Sequence, residues 1–479
     1  MKENSDINTL NVDVDIKSTE TLTDNNPMNI KNTLDSLLKR LKSIDFYKLG
    51  NFRQGEKISK QAYEIFTIEE LLSTAGLCNK DLNIIDGEPF IFNGAYWMKI
   101  EESIFEKFLS KASLEIGVPQ LMAKHHKFVP NLVRQFYLST DIPDEYNTDS
   151  VKINCQNGTL HITQNGYEHK RFNKKDNLRY QLSFPYDKNA KCPKFQSFLD
   201  EVLPDKDCQK VLAEYLGYTF TKGFKCHKML ILLGQGDNGK SVIFDIINAL
   251  FGDENIGSSS LSGLTEPKSY SRPRLVNLLL NYGSEMGGKV YDETFKQLVS
   301  GEKIETREIY GRVFDITNYA KLMYNSNYIP KNLLDTPSTR KRLLIIPFNN
   351  IIPPHKQDKH LADKIIKDEL SGVLNWVLDG LIRLLNQNGF TDSEVINKTI
   401  AYLSKSVDTI ALFLEERGYI PDIDGKSYKS ELYQDYKKFC IEYGYNPENQ
   451  INVRERLLNL NIHEDKDNKA MYYKLKRNR

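Results

Sequence analysis

The chain has 479 residues, with 65 Lys and Arg against 64 Asp and Glu and a formal net charge of +1. This excludes a uniformly basic nucleic-acid binder, so any such surface must be a local patch. Six cysteines form no CxxC and do not cluster with the eight histidines, which argues against a zinc site or disulfide framework and fits a reducing, cytoplasmic setting.

The expected elements run as follows. Residues 1–28 are polar, with six Asp or Glu against two Lys in the first 26, and lack the apolar residues a core or a signal peptide needs; a disordered tail is expected. Residues 29–82 form a helical N-terminal segment, from IKNTLDSLLKRLKSIDFYKL onward. Residues 83–222 form an α+β region. Strands lie around Ile84-Ile85 and in PFIFNGAYWMKI, turned at Asn93-Gly94, with a helix near Glu102–Ala112. A second strand pair at Val151–Ile162 turns at Asn157-Gly158, and two helices follow in FQSFLDEVL and CQKVLAEYLGYTF. Residues 223–390 alternate strands and helices, an α/β core, with strands expected at Met229–Leu233, Leu275–Tyr282, Ala320–Tyr324 and Leu343–Pro347 and a helix over 360–387. Residues 400–479 form a separate unit of three helices and a hairpin. No apolar run approaches the ~18–20 residues that span a bilayer, so no membrane partner is expected.

The stretch Gly234-Gln235-Gly236-Asp237-Asn238-Gly239-Lys240-Ser241 matches G-x-x-x-x-G-K-[ST] between a buried-type strand and a helix that Gly252 stops. Glycines let backbone amides turn toward phosphate oxygens, and the helix start adds its positive end. The backbone from Gly234 to Val242 is thus expected to cradle ATP, with Lys240 on the β- and γ-phosphates and the Ser241 hydroxyl on Mg²⁺. Glu285, just past the run Leu275–Tyr282, is placed to take a proton from attacking water or to complete the metal shell. Asn327, after Leu322–Tyr324, is placed to orient that water, with Asn325 as the alternative. Arg340 and Arg342, flanking Lys341 before the strand Leu343–Pro347, are placed to enter a neighbouring subunit's site. The bland alternatives are a glycine-rich turn, a loop glutamate, a turn asparagine and a solvated basic turn, but the four fall in order within about 110 residues.

AYWMKI with the helix after it, INCQNGTLHI, CPKFQSFLDEVL with LAEYLGYTFT, LLGQGDNGKS, FKQLVSGEKIETREIYGRVFDI, YNSNYIP and RKRLLIIPF together resemble a known family. It is the superfamily 3 helicases of the AAA+ class, specifically the phage/plasmid primase-helicase family that includes the poxvirus primase-helicase. The resemblance runs from about Asn83 to the C-terminus. It implies an AAA+ P-loop core, an α+β pre-helicase region and a C-terminal winged-helix-like domain. It further implies a homo-oligomeric ring, a hexamer, that hydrolyses ATP between subunits and translocates 3′ to 5′ on single-stranded DNA. The family most often has two adjacent arginines where this chain has Arg340-Lys341-Arg342, so either arginine can be the finger. A channel-lining hairpin is implied at Ile304–Ile316, with Arg307 and Arg312 on phosphates and Tyr310 stacking on a base. No DxD-plus-His set precedes the matched region, so a separate primase or polymerase is an expected partner.

From Lys426 to Arg479 there are 12 Lys or Arg against 8 Asp or Glu. Arg454 and Arg456 on the third helix, with Lys474 and Lys476 on the wing, form a candidate patch for origin DNA; the alternative is a solvated tail on a packing domain. The expected function is an ATP-dependent replicative DNA helicase of a phage, plasmid or other mobile element. Two rivals are a nucleotide-switched origin-binding initiator and a P-loop ATPase that remodels protein.

Overall fold

A computed structural model describes residues 30–140 and 150–477, apart from 309, 310, 312, 444 and 446. The expected tail and the expected DNA contacts Tyr310 and Arg312 lie outside the described residues. The chain divides into two compact units, one ending at Asp144 and the other beginning at Glu145.

In the first unit, helices Ile30–Leu38, Phe46–Leu49 and Lys60–Leu77 precede a three-stranded meander, Leu82–Ile85, Glu88–Phe92 and Trp97–Lys99. Asp86 and Gly87, at φ 52° and 78°, turn the first hairpin. The Asn93 carboxamide oxygen accepts from the Ala95 and Tyr96 amides at the second turn. Helix Glu102–Ile116 follows, then Gln120–Ala123 and Phe128–Ser139. One core holds Leu34, Leu37 and Leu71 together with Phe105, Leu109, Leu132 and Phe136. The division expected between residues 82 and 83 therefore falls inside this unit. The apolar faces of the first helices are buried against the meander and the helices after it.

The second unit opens with a meander, Val151–Cys155, Gly158–Thr163 and Gly166–Lys170. Helices Pro193–Val202 and Lys206–Tyr218 come next. The central sheet contains β1 (Met229–Leu233), β2 (Ile256–Gly257), β3 (Leu280–Gly283), β4 (Lys321–Ser326) and β5 (Leu343–Pro347), in the order β5-β1-β4-β3-β2. Every pairing in it is parallel. The strand expected over Leu275–Tyr282 is shorter, because Arg272–Leu275 is a 3-10 turn and Asn277 sits at φ 66°, which an extended strand cannot contain. Helix α1 (Lys240–Phe251) follows β1. A hairpin, Ile304–Arg307 against Val313–Ile316, occupies the interval expected for one.

The helix Leu361–Gln387 closes this core by direct backbone contact with Lys206–Tyr218. A Cβ on Gly217 would stand 2.6 Å from Leu381 Cβ, and one on Gly380 would stand 2.5 Å from the Ala213 carbonyl carbon. Two buried carboxylates tie this helix to its neighbours. Glu369 accepts from the Lys194 and Phe195 amides at 3.1 and 3.0 Å, capping Pro193–Val202 from a distant element. Glu214, fully buried, accepts from Arg383 Nε at 2.6 Å and from the Thr391 amide at 2.8 Å.

The C-terminal part comprises helices Thr409–Glu416, Lys429–Glu442 and Gln450–Asn459 and the hairpin Glu464–Lys466/Met471–Tyr473. Short strands Tyr419–Pro421 and Ser427–Tyr428 pair with Leu475–Arg477 and with Tyr472–Tyr473. Its own core contains Phe413, Tyr436, Phe439, Leu457 and Leu475. Among the described residues no helix is long and apolar enough to cross a membrane.

Arg383→Ala leaves the Glu214 carboxylate buried without its cation. It is expected to lower unfolding free energy by about 3 kcal/mol in urea titration; a loss below about 1 kcal/mol contradicts this account of the clamp.

Candidate nucleotide site

β1 is buried on both faces and ends at Leu233; α1 begins at Lys240. Between them the loop is sewn to its neighbours by main-chain bonds. The Gly234 amide donates to the Ser326 carbonyl at 3.0 Å, the Phe348 amide to the Leu233 carbonyl at 2.7 Å, and the Ile352 amide to the Asp237 carbonyl at 2.8 Å. A Cβ on Gly234 would overlap both Asn238 Nδ2 and the Phe348 carbonyl oxygen. Gly239 has φ 83°, and a Cβ there would stand 2.7 Å from Val202 Cγ1. Gly236, by contrast, is open, and Gln235, Gly236 and Asp237 are exposed. The loop thus has two glycines fixed by packing and a free tip.

Lys240 is only 8% exposed. Its ammonium donates to the Gly234 carbonyl at 2.6 Å, the Gln235 carbonyl at 2.8 Å and Asn238 Oδ1 at 3.0 Å. All three protons are spent on the loop itself, while burial lowers the lysine's pKa. Asn238, buried, passes the connection on: its Nδ2 donates to the Phe348 carbonyl at 2.9 Å, just past β5. Ser241 and Val242 open α1, where the first amides lack helical partners. The Ser241 hydroxyl is exposed and makes no side-chain hydrogen bond among the described residues.

The register places the other candidates. Ser326 lies opposite Leu233, so Asn327 follows at the level of Gly234. Gly283 lies opposite Tyr324, so Glu285 emerges at the level of Ser326, one strand beyond Asn327. Both side chains are exposed and carry no hydrogen bond among the described residues. Asn325, the alternative to Asn327, is engaged: Tyr282 Oη donates to its Oδ1 at 2.8 Å. An exposed hydroxyl and an exposed carboxylate on one edge are the hard oxygen ligands that Mg²⁺ takes, so Ser241 and Glu285 fit that ion.

Arg340 and Arg342 lie elsewhere. They precede β5, and Leu343 pairs with Met229 at the start of β1, so they stand at the opposite edge of the sheet from the loop. The five residues of β1 separate the edges by roughly 16 Å. Arg340 donates to the Leu334 carbonyl, and Arg342 to the Ser338 carbonyl at 2.7 Å and Ser300 Oγ at 3.3 Å. Neither has a carboxylate partner among the described residues.

The expected DNA contacts divide. Arg307 stacks 5.5 Å from the centroid of the Tyr270 ring. On the same hairpin Val313 and Phe314 are exposed, an apolar pair that a search for basic residues passes over. In the C-terminal part, Arg454 grips Glu464 with two nitrogens at 2.6 and 2.9 Å. Arg456 grips Asp408 at 2.6 Å, the residue that caps helix Thr409–Glu416. Lys474 stands 3.8 Å from Asp465. Lys476 is exposed and has no ion pair among the described residues.

A parallel sheet with a glycine-rich loop leading into a helix is consistent with a nucleotide-binding α/β fold. Two family models match the chain: "D5 N terminal like" over residues 85–204 and a family of unknown function (DUF5906) over residues 232–342. The chain is 22% identical over 348 residues to "Putative helicase 121R" of Invertebrate iridescent virus 3, a match covering 64% of this chain and 36% of the viral protein. It is 25% identical over 206 residues to "Putative helicase 184R" of Invertebrate iridescent virus 6, covering 40% and 21%. The matches therefore span about a third of the length of the first relative and about a fifth of the second. Among solved structures it is similar to an apo structure of the NrS-1 C terminal region, at 13% identity and a TM-score of 0.49, over 87% of this chain and 100% of that one. Both viral relatives are named as helicases, and the D5-type match precedes the glycine-rich loop.

Gly239→Ala forces a left-handed backbone on a residue with a Cβ and drives that atom into Val202. Titration with a fluorescent ATP analogue is expected to show affinity at least tenfold weaker, about 1.4 kcal/mol, with the far-ultraviolet circular dichroism unchanged. Unaltered affinity contradicts the role given to the loop's shape.

Proposed function

We propose that the chain is an ATP-dependent replicative DNA helicase of superfamily 3, an AAA+ ring ATPase that moves on single-stranded DNA for a phage, plasmid or related element. The observation that carries this reading is the split of the candidate residues. Loop, amide and acid share one sheet edge, while both arginines stand at the other, where only a second copy can use them. The strand order β5-β1-β4-β3-β2 supports an AAA+ core, and the three helices with a terminal hairpin support a winged-helix-like C-terminal domain. The names of the viral relatives agree with a helicase.

In this mechanism the ATP phosphates replace the Gly234 and Gln235 carbonyls as partners of the Lys240 ammonium. Backbone amides from Gly234 to Val242 bind the remaining phosphate oxygens. Ser241, with Glu285, would hold Mg²⁺, which neutralises phosphate charge when bound. Glu285 takes the proton of the attacking water, and Asn327 orients that water. Arg340 or Arg342 of the next subunit meets the charge that builds on the transferred phosphoryl group. The hairpin Ile304–Ile316 carries the strand, through Arg307 and its companions Tyr310 and Arg312. A hexameric ring and a separate primase or polymerase complete the proposal. The nucleotide-switched, origin-binding reading is less favoured, because Arg454 and Arg456 already spend their charge on Glu464 and Asp408.

The test is steady-state ATP hydrolysis with and without single-stranded DNA. Wild type is expected to hydrolyse ATP and to be stimulated severalfold by the strand; Lys240→Ala is expected to lose at least 99% of the rate. Hydrolysis indifferent to DNA would favour a protein-remodelling ATPase.

For the C-terminal part, Lys476→Ala is expected to weaken DNA binding and to reduce the slope of log K against log salt by about 1. Arg454→Ala is expected to leave DNA affinity within about twofold while lowering thermal stability. Fluorescence anisotropy across a salt series measures the first, and a melting curve the second. A reversed pattern would return the DNA contact to Arg454.

A further inference from the structure

Arg272 is a buried cation, 5% exposed, with no carboxylate partner among the described residues. Its guanidinium is spent on three main-chain carbonyls from two different elements. Nε donates to the Leu264 carbonyl at 2.8 Å, and one terminal nitrogen to the Glu266 carbonyl. The other terminal nitrogen donates to the Glu305 carbonyl at 2.9 Å, on the first strand of the hairpin. The fork of an arginine donates from three separate nitrogens in one plane and so reaches carbonyls on two elements; a lysine offers a single nitrogen.

Each end of this bridge leads somewhere functional. On one side lies helix Leu261–Thr265, whose Ser262 amide donates to the Met286 carbonyl at 2.9 Å, the residue after Glu285. The Thr265 hydroxyl accepts from the Tyr291 amide at 3.2 Å, so the same helix grips the acid's loop at both ends. The loop's other side is held by Tyr328, the neighbour of Asn327, which donates to the Gly287 carbonyl at 3.3 Å, and by Asn332 Nδ2 on the Val290 carbonyl at 2.7 Å. On the hairpin side, Tyr270, two residues before Arg272, places its ring under Arg307. The segment Tyr270–Arg272 thus seats the hairpin strand at two successive outward points, 305 and 307.

We propose that Arg272 is a positioning residue that couples the hairpin to the acid loop. A displacement of strand Ile304–Arg307 moves the Glu305 carbonyl, Arg272 carries the movement to Leu261–Thr265, and that helix shifts Met286 and with it Glu285. The inference rests on the helicase reading and adds to it the route by which strand engagement changes hydrolysis. Charge alone does not suffice for this role, because the guanidinium acts by holding carbonyls of both elements at once.

The test compares full-length wild type, Arg272→Lys and Tyr270→Leu for ATP hydrolysis without DNA and with saturating oligo(dT), together with oligo(dT) affinity and the melting midpoint. Arg272→Lys is expected to keep its DNA-free rate within twofold and to lose at least fivefold of the stimulation ratio. Tyr270 is 45% exposed, so Tyr270→Leu is expected to fold normally and to lose stimulation in the same direction; should the lysine variant not fold, this variant decides. A wild-type stimulation ratio in both variants, or an equal drop of basal and stimulated rates, would overturn the proposal. Wild type stimulated by DNA with unaltered variants removes only this coupling. Wild type indifferent to DNA removes the helicase reading, and the coupling with it.

Discussion

In a parallel sheet every strand delivers its last residue to the same edge and its first to the other. Pairing Leu233 with Ser326 and with Pro347 therefore fixes where the glycine-rich loop, Asn327 and the segment Phe348–Ile352 meet. The same pairing, run back to Met229 and Leu343, fixes where Arg340 and Arg342 stand. Side-chain rearrangement alone does not carry a group from one edge to the other, since the length of β1, paired on both sides with β4 and β5, lies between them. The division between the loop's residues and the arginines is thus a property of topology, and the requirement for a second copy in the proposed mechanism follows from it.

Within the loop, the physics is that of a cation short of water. Lys240 satisfies itself on two carbonyls and one carboxamide oxygen, and burial favours its neutral form. In the proposed mechanism, phosphate oxygens offer the ammonium full negative charge where the carbonyls offer only dipoles. Asn238 joins this ammonium to the Phe348 carbonyl, just past β5.

The sequence showed the parts of this arrangement whose signal is local. Met229–Leu233 and Leu343–Pro347 are continuous apolar runs, as strands buried on both faces must be, and both lie where expected. The loop and α1 were legible because glycine positions and helical spacing coincide. The extent of β3 was not, because a left-handed Asn277 looks like any asparagine in an apolar run. Helix Phe128–Ser139 was missed although Phe128, Leu132 and Phe136 repeat at helical spacing. β2, two residues long, carries no period to detect. Charge counting failed for a different reason. Arg454 and Arg456 look available until Glu464 and Asp408 are placed beside them. Arg272 looks like a surface residue until the carbonyls of 264, 266 and 305 converge on it. Partners separated by 6 to 48 positions leave no trace in a linear pattern.

The central claim is that a complete site draws its acid and its arginine from different copies of the chain, and mixing two inactive proteins tests it most directly. Glu285→Gln lacks the acid, and the double variant Arg340→Ala, Arg342→Ala lacks the arginines; each alone is expected to hydrolyse ATP at a few per cent of the wild-type rate or less. Combined after dissociation and reassembly, they should regain a substantial fraction of wild-type hydrolysis, because some interfaces then join an intact acid to an intact arginine. A mixture no more active than its components, or full activity in the arginine-free protein by itself, would contradict the account.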